Sequence, residues 1–166
     1  PVTWGKCKLA TASFGHGINT NLLQLTKGYA IISNGGFDVK PTLIKKETDV
    51  NKKTIITKAT SQKINSILRK IVVTGTAKLA NVDGYEIGGK TGTANKTING
   101  VYTNKKINTF ASVFPISKPQ FVFVVLIDEP QINNSYIYEY RDGSGFKLKG
   151  APRNTAGWTS VEVAGK

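Results

Sequence analysis

Tyr85-Glu86-Ile87-Gly88-Gly89-Lys90-Thr91-Gly92-Thr93-Ala94 is a strand candidate over Tyr85 to Thr93, and with the turns and strands downstream of it decides the fold. Asn99-Gly100 comes next, a dipeptide that tolerates positive φ at both positions and closes tight hairpins. A second strand candidate, Ile107 to Phe114, then returns antiparallel to the first. Ser117-Lys118-Pro119-Gln120 supplies turn chemistry, and Phe121 to Ile127 (Phe-Val-Phe-Val-Val-Leu-Ile) forms a third strand. That last run is apolar on both faces, as a sheet covered on both sides requires.

Upstream the period changes from two to 3.6. Leu22, Leu25, Tyr29 and Ile32 recur at helical spacing within Asn21 to Ser33, with Thr20 or Asn21 to cap the start. Asn34-Gly35-Gly36 stops that helix. Lys40 to Thr57 reads as loop with short strands near Leu43-Ile44 and Ile55-Ile56. A second helix carries Ile64, Ile67, Leu68, Ile71 and Val72 on one stripe, capped by Thr60 or Ser61 and ended near Gly75. Asp128 to Thr155 is polar and aperiodic, a long surface loop. Trp158 to Lys166 reads as the opening of a last helix. The expected class is α+β, helices packed on an antiparallel sheet.

A chain of 166 residues suits one domain with a sizeable core, since roughly 70% of the unfolded surface can be buried at that size. Its hydrophobic fraction is 39%, and it has no run near the roughly 20 apolar residues that span a bilayer. The net charge of +13, from 23 basic and 10 acidic residues, raises a nucleic-acid or anionic-polymer partner. Nearly all the basic residues are Lys, and they are scattered (Lys45-Lys46, Lys52-Lys53, Lys105-Lys106). A base-reading surface clusters Arg with aromatics instead, so a solvated Lys-rich surface and no specific nucleic acid are expected. Cys7 is the single cysteine, which excludes an intrachain disulfide and leaves the redox compartment unread. Pairing it with His16, the single histidine, as a thiol protease lacks an orienting Asn or Asp. The chain opens on Pro1 and contains no Met, which raises the expectation of a piece of a longer protein.

Lys90-Thr91-Gly92-Thr93 alone describes any exposed strand running into a turn. It stands, however, in an ordered series: Ala10-Thr11-Ala12-Ser13-Phe14-Gly15-His16-Gly17-Ile18, Leu23-Gln24-Leu25 with Tyr29-Ala30, Ser33-Asn34-Gly35-Gly36 and Pro41. Val72-Val73-Thr74-Gly75-Thr76-Ala77 comes after these, then Gly88-Gly89-Lys90-Thr91-Gly92-Thr93-Ala94, Phe110-Ala111-Ser112, Asp128-Glu129-Pro130 and Thr155-Ala156-Gly157-Trp158. From end to end this series resembles the C-terminal half of the transpeptidase domain of class B penicillin-binding proteins, most closely the septal, cell-division type. Two features depart from that pattern: His16, where an aromatic is more usual, and a long stretch from Tyr136 to Arg153.

The resemblance implies a fragment of the penicillin-binding/serine β-lactamase-like fold, with the Ser-x-x-Lys nucleophile motif, the Ser-x-Asn relay and a membrane anchor upstream of Pro1. It implies peptidoglycan D,D-transpeptidation through an acyl-serine, on stem peptides ending in D-Ala-D-Ala. β-Lactams would be inhibitors, and divisome and glycosyltransferase proteins partners of the full-length protein. The implied location is the inner membrane with the catalytic domain facing the periplasm, and no cofactor or metal is implied. Lys90 and Thr93 become the expected catalytic residues. Lys90 is a fixed charge beside the relay, and the Thr93 N–H is an oxyanion donor. Thr91, Gly92, Thr93 and Gly89 become the substrate- and β-lactam-binding residues: hydroxyls for a carboxylate, glycines for close backbone approach. Without the nucleophile the chain is expected to be inactive alone.

Two local patterns imitate parts of such a site. Ser144-Gly145-Phe146-Lys147 spells Ser-x-x-Lys in a Gly-rich loop, whereas the motif needs a helix to put Ser and Lys on one face. Thr74-Gly75-Thr76-Ala77 echoes Thr91-Gly92-Thr93-Ala94 without the Lys, and reads as a helix stop. A β-lactamase or β-lactam sensor domain of the same superfamily is the alternative enzyme class. A basic binding module or a scaffold with an exposed sheet edge is the non-catalytic one.

Overall fold

The computed structural model describes residues 7–15, 17–44, 53–139, 145–146 and 153–166. His16, Lys45-Lys46 and Lys52 lie outside them, as do Ser144 and Lys147 of the literal Ser-x-x-Lys.

The hairpin forms where Asn99-Gly100 places it. Asn99 and Gly100 have φ of 51° and 80°, the paired positive values of a turn whose twist matches its strands. They join β1 (Gly88–Ile98) to β2 (Val101–Phe114). The register runs from Gly88↔Val113 to Ile98↔Val101, with a shift between Asn95 and Thr97. Both strands differ from the sequence-based bounds. The first was expected from Tyr85 but begins at Gly88, because Glu86 takes a φ of 47° that interrupts extended backbone. The hairpin arm is longer than expected, because ladder hydrogen bonds carry the polar residues 94–106, which show no apolar alternation.

β3 (Phe121–Asp128) pairs with β2 from Phe114↔Phe121 to Ile107↔Asp128. Among the described residues the order is β1-β2-β3, so there β1 and β3 are the edges and residues 101–106 of β2 pair only with β1. The central strand is covered on both faces. Phe110 is 0% exposed on one, and Ala111 and Val113 are 3% and 0% exposed across the pleat. The apolar third strand, read as core on both faces, is only partly so. Phe121, Phe123 and Leu126 are 61%, 45% and 42% exposed, as an edge position leaves them.

Around the sheet stand α1 (Lys8–Ala12), α2 (Leu22–Ser33), α3 (Lys58–Thr74) and α4 (Ser160–Gly165). The five-residue α1 was not expected from the sequence. Asn21 caps α2 in a reciprocal box with Gln24, and Gly35 and Gly36 come after it with φ of 94° and 92°. In α3 the cap is Thr57, which accepts from the Thr60 N–H, rather than Thr60 or Ser61. Ser61 is buried instead, donating to the Ile32 carbonyl and accepting from the Gly35 N–H, so it ties α3 to the end of α2. Gly75 ends α3 as expected. Leu43-Ile44 forms no strand, and the strand near Ile55-Ile56 reduces to one bridge, Phe37↔Thr54.

The core gathers Val72 of α3, Ala77 and Ala80 beyond it, Ile87, Phe110 of β2 and Val161 of α4. Within the Asp128–Thr155 stretch, β4 (Tyr138–Glu139) pairs with β5 (Gly145–Phe146). Gly145-Phe146 is therefore strand, not the helix that a working Ser-x-x-Lys needs.

Candidate functional site

β1 carries all the site residues expected from the sequence, and its pleat sorts them. Gly89, Thr91 and Thr93 fall on one face; Lys90 and Gly92 fall on the other. Across the ladder Thr91 opposes Phe110 and Thr93 opposes Asn108. Thr91 and Thr93 line a cavity of about 340 Å³, completed by Gly75, Thr76, Lys78 and Leu79 on one side and Thr155, Gly157 and Trp158 on the other.

Each hydroxyl is already engaged. Thr91 Oγ1 is 3.1 Å from Thr76 Oγ1. Thr93 Oγ1 accepts from the Ala156 N–H at 3.0 Å. Since an N–H only donates, that second bond leaves the Thr93 hydroxyl hydrogen to point elsewhere. The exposed Lys90 Nζ donates to the Thr91 carbonyl at 2.7 Å and approaches Thr91 Oγ1 at 3.5 Å. The Thr91 carbonyl therefore opens away from β2. Backbone groups alternate along a strand, so the N–H and C=O of Thr93 share that outward edge.

The two glycines answer to packing inside the chain. A Cβ on Gly89 would lie 2.6 Å from the Phe110 ring and 2.8 Å from the Ala111 carbonyl. One on Gly92 would meet the Thr109 hydroxyl at 2.6 Å.

Several lining residues carried no role in the sequence. Thr76 belongs to the echo read as a helix stop; the stop is real, yet it turns the echo onto Thr91. The wall at 155–158 is pressed into place: a Cβ on Gly157 would come within 2.8 Å of the Thr76 carbonyl. Arg153 lies over the Trp158 ring, its guanidinium carbon 5.6 Å from the centroid, within cation–π range. Asn108 is 0% exposed and donates to the Asn154 carbonyl at 2.7 Å and to Thr159 Oγ1 at 2.8 Å. Lys106 Nζ donates to Asn154 Oδ1 at 2.6 Å. Asn108 and Lys106 lie 46 to 51 positions from these partners on the last segment, so no local spacing reveals the contact.

Beyond the site, the hairpin arm is braced. Lys96 Nζ reaches Asp128 at 3.0 Å and Glu129 at 2.9 Å, and Lys105 reaches Glu129 at 3.1 Å. Hydrogen bonds to Lys96 and then Lys105 hold the Glu129 carboxyl below its ordinary range, and hydrogen bonds to Glu129 and then Asp128 hold Lys96 above its own.

Residues 3–144 match the family described as the penicillin binding protein transpeptidase domain. The chain is 36% identical over 136 residues to the probable peptidoglycan D,D-transpeptidase PenA of Neisseria flavescens, spanning 80% of this chain and 34% of that protein. Over 140 residues it is 33% identical to the stage V sporulation protein D of Bacillus subtilis, 76% of this chain and 22% of the relative. The transpeptidase domain of the FtsI4 D,D-transpeptidase from Legionella pneumophila superposes with a TM-score of 0.73 at 26% identity, covering 99% of this chain and 51% of that one. The chain thus spans about a fifth to a third of the curated relatives it matches. With most of its length inside the profile and its whole described fold superposing on a solved example, the chain belongs to the penicillin-binding-protein transpeptidase domain family.

Proposed function

We propose that this chain is the C-terminal part of a peptidoglycan D,D-transpeptidase domain of the septal cell-division type. The observation that carries the proposal is the outward edge of β1, where Lys90, the Thr91 carbonyl and, by alternation, the Thr93 N–H lie beside a cavity lined by the Thr91 and Thr93 hydroxyls.

An upstream Ser attacks the penultimate D-alanine carbonyl of a stem peptide. The C–O bond forms, the C–N bond to terminal D-alanine breaks, and that amine leaves with the proton. An acceptor amine then attacks the acyl-serine; the new C–N bond forms, the ester C–O bond breaks, and the Ser oxygen takes up the proton that the amine gives up. Lys90 supplies positive charge that eases proton transfer and draws in the anionic substrate. The Thr93 N–H stabilises the oxyanion, a contribution of about 3–4 kcal/mol in comparable sites. Thr91 and Thr93 hydroxyls donate to the terminal carboxylate, and Gly92 keeps the strand slim beside the substrate backbone, while Gly89 lets the strand seat against Phe110. β-Lactams enter as mimics of D-Ala-D-Ala. The whole protein would act at the inner membrane with this domain facing the periplasm, alongside divisome and glycosyltransferase partners; no helix among the described residues is long and apolar enough to cross a membrane. Alone, the chain lacks the nucleophile and is inactive.

Intact mass after incubation with a penicillin tests this, on the chain and on a protein extended upstream to its Ser-x-x-Lys. The expected result is an acyl adduct on the extended protein only. An adduct on the short chain, or on neither, overturns the assignment.

A further inference from the structure

The geometry points to Asn108 as a positioning residue that sets the polarity of the Thr93 hydroxyl and so tunes selectivity for a carboxylate-bearing ligand; the inference rests on the transpeptidase function proposed above. Asn108 lies directly opposite Thr93 on β2, fully buried. Its amide nitrogen makes two donations, to the Asn154 carbonyl at 2.7 Å and to Thr159 Oγ1 at 2.8 Å. Those acceptors bracket Ala156, whose N–H is the donor to Thr93 Oγ1 at 3.0 Å.

The chemistry of the amide makes this a one-way device. Asn108 Nδ2 only donates, so it takes hold of acceptors on the 154–159 segment and cannot bond the Ala156 N–H itself. With the segment held, that N–H occupies an acceptor position of Thr93 Oγ1. The Thr93 hydrogen stays available to donate into the cavity, where an anion gains from it and a neutral ester gains less. Asn108 Oδ1 has no hydrogen-bond partner among the described residues. A buried amide that spends both donors and neither lone pair marks the donations as the feature this position retains.

The experiment uses the longer protein that joins an upstream Ser-x-x-Lys to this chain. Second-order acylation rates are measured for a penicillin and for its methyl ester, which lacks the carboxylate. Asn108→Leu is expected to reduce the acid-over-ester preference by about tenfold, the scale of one hydrogen bond to a charged group. Thr159→Val removes a single acceptor and is expected to shift the ratio the same way by less, a variant available should Asn108→Leu fold poorly. In a Thr93→Val background Asn108→Leu should add no further loss of preference, because the hydroxyl it acts through is gone. Parallel loss on acid and ester, an unchanged ratio, or a full effect persisting in Thr93→Val would each overturn the inference. Failure of the unsubstituted protein to acylate at all is a different result: it overturns the proposed function and this inference with it.

Discussion

At the scale of single residues, β1 is constrained by packing inside the chain. Gly89 abuts the Phe110 ring and the Ala111 carbonyl, neither of which can rotate away, whereas Gly92 faces only the Thr109 hydroxyl. Gly89→Ala is therefore expected to cost about 1–3 kcal/mol of stability by overpacking. Gly92→Ala should cost much less, because Thr109 can change rotamer. Urea midpoints of the two variants decide it; equal losses would refute the distinction. Lys90, Thr91, Gly92 and Thr93 stood out as candidates because a short motif writes them consecutively. Thr76, Asn108 and Ala156 were not, since their bearing on the site arises from contacts between segments 15, 46 and 63 residues apart.

Elements repeat the pattern. The periodic stripe of α3 was plain in the sequence, but its start was not, because Thr57, Thr60 and Ser61 are all competent caps. Thr57 takes the cap, so Thr57→Ala is expected to cost about 1 kcal/mol. Ser61→Ala acts by another route, leaving the Ile32 carbonyl and Gly35 N–H without their buried partner. Thermal melts of both variants, with circular dichroism of the helix, separate the two losses. The hairpin brace makes a pH prediction. Glu129 titrates lower in the fold than its ordinary value of about 4.3. Its stabilisation is therefore complete above that value and vanishes as pH falls through the lowered one. Lys96 titrates higher than its ordinary value of about 10.4, so its share is complete below that and is lost only as pH rises through the raised value. Amide protection across residues 96–106 is expected to hold from mildly acidic to alkaline pH and to drop below about pH 4, more readily in high salt. Protection that persists down the whole acid limb for as long as the rest of the fold holds would discount the brace.

For the molecule as a whole, the class was readable because turn signals at Asn99-Gly100 and Ser117–Gln120 fixed an antiparallel order before any side chain was placed. What composition hid was which apolar strand is covered. Phe121 to Ile127 has the composition of a buried strand but occupies an edge, with Phe121, Phe123 and Leu126 substantially exposed. An apolar edge strand pairs readily with another chain. The isolated chain is accordingly expected to self-associate with rising concentration, and Phe123→Lys to suppress this. Sedimentation velocity reads the outcome; a monomer at all concentrations would show that the edge is inert.

The order of parts along the hairpin has a practical consequence. Moving outward from Thr93, the chain meets the Lys96–Glu129–Lys105 brace first and the Asn99-Gly100 turn afterwards. Anything grafted into that turn, a fluorophore-bearing loop or an epitope, would ride beyond a fixed clamp, in a surface turn of the kind that accepts insertions. The tip can thus serve as a reporting handle while the strand edge a few residues away keeps its shape.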